Sequence, residues 1–191
     1  MKLLLERQFQ DEWRGMVGIY LFLGGLGAGC FAVGCAASLL SPAWSPLVSA
    51  GAYLGLPLVV IGTLFLAAHL GSPMRAPKAM SKPGTSWISR GVLSIGGFCV
   101  LSFIALLGEL GVIEIAGGAG TVLAILGIIF SLFVALYTGA LLSASKGVPF
   151  WRTSLLPILF LISAMFTGLM AVLLTAPVVS GIFGLPETAV T

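Results

Sequence analysis

Charge is scarce in this chain: 8% of its 191 residues are Asp, Glu, Lys or Arg, against 59% that are hydrophobic. Soluble domains average about 25% charged residues, so there is too little polar surface here to cover a water-soluble globule. Histidine is scarcer still. His69 is the single imidazole, which excludes a bis-histidine haem within the polypeptide. The cysteines, Cys30, Cys35 and Cys99, lie in apolar surroundings without the spacing of zinc or iron–sulfur ligands. They read as small buried hydrophobes. No haem or metal is therefore expected in this chain. The net charge is only +3 and no basic run resembles a nucleic-acid patch, so no nucleic acid is expected either. A cleaved signal peptide is not expected, because Glu6, Asp11 and Glu12 interrupt the first residues before any compact apolar core.

What the chain has instead is long apolar runs. Five of them, at residues 16–40, 49–70, 86–108, 120–144 and 154–177, each approach or exceed the roughly 20 residues that a helix needs to cross a bilayer. Pro42, Ser45 and Pro46 break the first run from the second. Gly71, Ser72 and Pro73 stop the second, since the residue before a proline is pushed out of helical geometry. Glu109 and a glycine-rich turn close the third. The tail to Thr191 is short and punctuated by Pro and Gly. The fold class is an all-α integral membrane protein, a bundle of five transmembrane helices with an N-terminal interfacial helix. That helix occupies residues 1–15, with Phe9 and Trp13 at headgroup level. A transmembrane domain follows at 16–178 and a short tail at 179–191.

All nine Lys and Arg residues fall on one side of these five crossings. Cytoplasmic loops carry the excess of Lys and Arg, which places the N-terminus and the basic loops in the cytoplasm of a prokaryotic inner membrane. The same basic face is also a candidate docking surface. An odd number of crossings puts the two termini on opposite sides.

Within the first run, GGLGAG at residues 24–29 contains the pair Gly25 and Gly29, the GxxxG spacing that lets another helix approach closely. A phosphate-binding loop is a poor alternative, because the glycines lie inside an apolar span and not after a strand. Pro57 and Pro157 mark places for a kink or for ligand space. Glu109 and Glu114 fall at the far edge of the third run and read as solvated interfacial acids. An inverted-repeat transporter would show broken helices and intramembrane ion ligands, and neither is evident.

A few residues can carry chemistry. His69 stands just before the Gly-Ser-Pro break, where an imidazole titrates near neutral pH. It reads either as an interfacial side chain bonded to a carbonyl or as a proton-exchanging group beside a ligand. Tyr137 and Tyr20 lie in the half of the bilayer nearer the basic face. Each is either interior packing or a phenol donating to a quinone carbonyl in an apolar slot. Arg75 and Arg90 either fix topology or make charge-assisted contacts with a partner's carboxylates. Trp13, Trp87 and Trp151 form an interfacial aromatic belt.

Three segments taken together resemble one family. They are YLFLGGLGAG at 20–29, HLGSPMR and KPGTSWISRG within 69–91, and YTGALLSASKGVPFWRTSLLPILFLISA at 137–164. In this order and spacing the sequence resembles the NrfD/polysulfide-reductase membrane-subunit family, and the resemblance touches all five runs. It implies a haem-free quinone or menaquinone site near the face where an iron–sulfur, ferredoxin-like subunit docks. That subunit would pass electrons to a catalytic subunit, molybdopterin-containing in the family's molybdenum complexes, in anaerobic respiration. By resemblance, the tyrosine of the YTG motif, Tyr137, lines the quinone pocket, with Tyr20 from the first run and Trp13 just before it; His69 joins them from its own chemistry. Arg75, Arg90, Lys146 and Arg152 would face the partner. The sequence departs from the family in having five runs where better-known members have more. It departs also in a charge bias that favours an inner-face partner, whereas many members place theirs outside. The competing readings are a small multi-pass transporter or channel, and a purely structural membrane anchor.

Overall fold

The computed structural model describes residues 15–69, 87–115, 117–143, 153 and 155–183. They form five long helices: α1 (Gly15–Leu40), α2 (Ser45–His69), α3 (Trp87–Glu109), α4 (Gly118–Ser143) and α5 (Leu155–Phe183). A short 3-10 turn, Pro42–Trp44, joins α1 to α2. No strand occurs among the described residues. All five helices are long and apolar enough to cross a membrane, as the apolar runs predict. The expected interfacial helix at 1–15 lies almost wholly outside the described residues.

The helix ends follow local chemistry. Ser41 has an extended backbone, and its hydroxyl accepts a hydrogen bond from the Ala43 N–H at 3.3 Å, which starts the 3-10 turn. The second helix begins earlier than its apolar run suggests, at Ser45, because Pro46 sits in the first turn, where the missing N–H is no loss. The C-terminus of α3 closes as a Schellman motif: Gly111 donates to the Gly108 carbonyl and Val112 to that of Leu107, both at 3.0 Å. Gly111 has φ of +69°, the left-handed conformation this motif requires. The last helix runs on through Pro177 to Phe183, past the end expected from the proline. Pro57 is likewise absorbed within α2.

Helix α1 is the centre of the bundle. Over its membrane-length stretch 67% is buried, against 33% or less for each other helix. It packs on α2, α4 and α5, while α3 reaches α4 and α2. Glycine governs how closely its neighbours come. The Gly25/Gly29 pair meets α5. A Cβ on Gly25 would touch that of Ala164 at 3.6 Å, and one on Gly29 would collide with the Ala164 carbonyl and the backbone of Gly168. The Cys30 thiol donates weakly to the Gly168 carbonyl at 3.7 Å. On another side of α1, Gly34 lies against Gly51, and a Cβ on Gly27 would come within 2.8 Å of the Gly55 carbonyl oxygen on α2. The GxxxG expectation is thus met, with α5 as the partner, and a second glycine seam adds α2. Phe31 then fills the centre, edge-on to Phe98 with ring centroids 5.3 Å apart. Cys30 and Cys35 are buried, as their apolar setting suggests, and Cys99 is partly so.

The glycine seams predict an asymmetric mutational response. Gly29→Leu or Gly168→Leu must push two backbones apart and costs at least about 1–3 kcal/mol. A Cβ on Gly96 meets nothing within 4 Å, so Gly96→Ala is neutral or stabilising by up to about 1 kcal/mol. Thermal unfolding in mild detergent checks both. Equal losses in the three variants would contradict the packing described.

Candidate functional site

At the end of the bundle where α1, α3 and α5 begin, side chains from all five helices meet. Tyr20 and Leu21 of α1 pack with Leu142 of α4, Leu66 of α2, Ile95 of α3, and Leu156 and Phe160 of α5. Tyr20 is 1% exposed. Its hydroxyl is buried and has no hydrogen-bond partner among the described residues. Such an orphan costs free energy in an apolar interior, and a buried orphan polar group calls for an explanation such as a ligand. Its phenol lies near enough to that of Tyr137 for the two to interact electrostatically.

The YTG motif places three adjacent residues in three different roles. Tyr137 is 8% exposed, and its ring lies directly over Gly91 of α3, where any Cβ would collide with Cζ, Cε1 and Cε2. Thr138 is fully buried, and its hydroxyl donates to the Ala135 carbonyl of its own helix at 2.7 Å. Gly139 lets the Pro157 backbone of α5 approach, with its Cβ position only 2.5 Å from the Pro157 Cα. A Cβ on Gly24, by contrast, would only touch the Tyr20 ring in ordinary contact, at 3.7 Å.

Of the residues singled out in the sequence, Tyr20 and Tyr137 are brought together. His69 is the last residue of α2, one turn beyond Leu66 of the same cluster, so its backbone belongs to the same end of the bundle. Arg90 is exposed at the start of α3, next to Gly91. Trp13, Arg75, Lys146 and Arg152 lie outside the described residues. Gly91 is a site residue that polarity-based reasoning passes over. Its only signal is a glycine one residue after the arginine of the SWISRG segment.

A cavity of about 360 Å³ lies at the opposite end of the bundle, walled by all of α1 to α4. Phe31, Cys35, Val48, Thr121 and Glu109 are among its lining. Glu109 was expected to be a solvated interfacial acid, and its side chain is exposed. Yet its Oε2 accepts a 2.5 Å hydrogen bond from the buried Ser49 hydroxyl. A carboxylate at the C-terminus of its own helix is disfavoured by the helix dipole. Ser49 lies near the start of α2, where the dipole has the opposite sign, and this offsets the penalty. No group of three or more potential metal ligands occurs among the described residues.

The Gly91–Tyr137 contact makes a direct prediction. Gly91→Val drives the phenol out of place and lowers stability by about 1–3 kcal/mol. Tyr137→Ala in the same polypeptide returns part of that loss, with a coupling of at least about 0.5 kcal/mol in a double-mutant cycle. Strict additivity by thermal unfolding would mean that Gly91 does not cradle the ring.

The family model described as "Polysulphide reductase, NrfD" matches residues 7–187. The protein is 28% identical over 184 residues to a polysulfide reductase subunit of Wolinella succinogenes, a match covering 86% of this sequence and 58% of that one. It is 29% identical over 184 residues to the NrfD protein of Escherichia coli, covering 82% of this sequence and 57% of that one. It thus spans well under two thirds of the length of either relative. No solved structure matches it. With five apolar helices in one bundle and a family match over nearly its whole length, the chain is a multi-pass membrane protein that belongs to the polysulphide reductase NrfD family.

Proposed function

We propose that this chain is the membrane anchor subunit of a respiratory redox complex and exchanges electrons between membrane quinone, such as menaquinone, and an iron–sulfur partner subunit. The observation that carries this reading is the buried Tyr20 hydroxyl, without a partner among the described residues, beside Tyr137 at the bundle end where α1, α3 and α5 begin. A quinone is an apolar ring with two carbonyl oxygens. It supplies the acceptor that the Tyr20 hydroxyl lacks and tolerates the leucine and phenylalanine surroundings. The family's description and the name of one relative, a polysulfide reductase chain, support a role inside a reductase complex.

In this reading Tyr20 and Tyr137 donate hydrogen bonds to the quinone head. His69, at the end of α2, relays protons to water. Oxidation of one quinol releases two electrons and two protons. The electrons pass to the partner's cluster. The protons leave past His69. Trp13 is a further quinone contact by family resemblance. Arg75, Arg90, Lys146 and Arg152 form the docking face for the ferredoxin-like subunit, which leads on to a catalytic subunit of the molybdopterin type. The basic side is cytoplasmic by the charge rule. A second reading, a small transporter, is favoured by the opposite-end cavity with Glu109. It requires that cavity to open through the bundle, where Phe31 and Phe98 now pack edge to face.

Tyr20→Phe separates function from folding. Removing an orphan hydroxyl leaves thermal stability unchanged or raised, because no protein hydrogen bond is lost. Quinol oxidation by the assembled complex falls about tenfold, the equivalent of one hydrogen bond to the ring. Tyr137→Phe and His69→Ala also slow it. Full turnover in all three variants would leave only a structural anchor.

A further inference from the structure

A groove of about 480 Å³ opens along the seam between α3 and α4, at the end of the bundle away from the tyrosines. Leu101 and Ile104 of α3 form one wall, and Gly118, Val122 and Leu126 of α4 the other. Val122 is 56% exposed, so the groove faces lipid. Glu114, in the loop that joins the two helices, stands at its loop end. Helix α4 has 26 residues and is therefore about 39 Å long. It outreaches the roughly 30 Å hydrocarbon core of a bilayer. Its first turn and the loop before it thus stand at headgroup level, with the apolar part of the groove running on for about 12 Å from Gly118 to Leu126. The loop is fastened in place by Ile115, since a Cβ on Gly108 of α3 would come within 2.6 Å of the Ile115 Cδ1. That contact holds Glu114 against the seam.

The charge of the groove is one-sided. Glu114 is the only charged residue in its lining. None of the hydrogen bonds or ion pairs among the described residues involves it, whereas the other acid of this end, Glu109, is tied to Ser49. No Lys or Arg occurs in residues 15–74, 91–145 or 153–191, so the connections at this end supply no cation. A single carboxylate at headgroup level above an apolar slot complements an amphiphile with a cationic head. A primary ammonium also donates charge-assisted hydrogen bonds to the carboxylate, which a quaternary ammonium, having no N–H, does not. Another helix fits poorly. Close helix approach needs a stripe of small residues, and here they are confined to Gly118 and Ala119, with Leu101, Ile104, Val122 and Leu126 filling the rest.

We propose that this groove is a binding site for a phospholipid with a primary ammonium headgroup, such as phosphatidylethanolamine. Its ammonium rests on Glu114 and one acyl chain lies between α3 and α4. Ile115 and Leu123 line both the groove and the Glu109 cavity, so the bound chain packs against the outer wall of that cavity. The site is separate from the tyrosine pair and does not depend on the quinone reading.

The test places the full-length protein in nanodiscs of equal parts phosphatidylethanolamine, phosphatidylcholine and phosphatidylglycerol with matched acyl chains. Lipids retained after mild ejection are counted by native mass spectrometry. The ethanolamine lipid should be enriched about threefold over each of the others, the worth of one exposed ion pair. Glu114→Gln, at an exposed position, should abolish the enrichment and leave thermal stability unchanged. Val122→Trp fills the slot and should bring retention of the ethanolamine lipid down to the bulk level. An analogue of that lipid with a diazirine in the acyl chain should label Leu101, Val122 and Leu126 in the unmodified protein. Equal retention of the three headgroups would overturn the proposal and leave bulk lipid only. Enrichment that survives both substitutions, or labelling confined to α1, α2 and α5, would overturn it by placing the selected lipid elsewhere.

Discussion

The bundle depends on how closely two helices approach α1. Lipid is as apolar as the helices themselves, so no hydrophobic force drives them together. Packing contact has to do that work, and here it comes from backbones meeting at glycine: Gly29 with Gly168 on one side, Gly34 with Gly51 on another. The central helix is consequently mostly buried although nearly all of its residues are apolar or small. The larger core side chains, Phe31 and Phe98 among them, fill the space those contacts leave.

The same approach creates the site. With α1 held against α5 and α2, Tyr20 is carried into a cluster to which every helix contributes. Glycine recurs around the tyrosine pair: Gly91 under the Tyr137 ring and Gly139 against Pro157. The result is a tightly packed apolar end holding a phenol that has no partner among the described residues. The opposite end is organised differently, around a tie between Ser49 and Glu109 and a cavity walled by four helices.

Much of this was legible in the sequence, because hydropathy and Lys/Arg placement are one-dimensional signals. The five helices match the five apolar runs to within a few residues, apart from the start of α2 and the end of α5. In the sequence Pro46 reads as a break and Pro177 as the end of the fifth run, yet both prolines are accommodated in helix. The Gly25/Gly29 spacing announced a close contact, but only the three-dimensional arrangement names Ala164 and Gly168 as its partners. The juxtaposition of Tyr20 and Tyr137, far apart in sequence on different helices, depends on helix rotation, which no local pattern encodes. Gly91 was missed because a missing side chain has no chemical signature. The Ser49–Glu109 bond was missed because an acid at a helix end looks the same whether water or a serine satisfies it.

The most direct measurement is the infrared carbonyl spectrum of isotope-labelled menaquinone bound to the purified protein in nanodiscs. A quinone held by the tyrosine pair shows a carbonyl band shifted to lower frequency than in lipid alone. That shift is lost when Tyr20→Phe and Tyr137→Phe are combined. A bound quinone whose carbonyl bands are unchanged by the double substitution, or no retained quinone at all, would contradict a quinone site at Tyr20 and Tyr137.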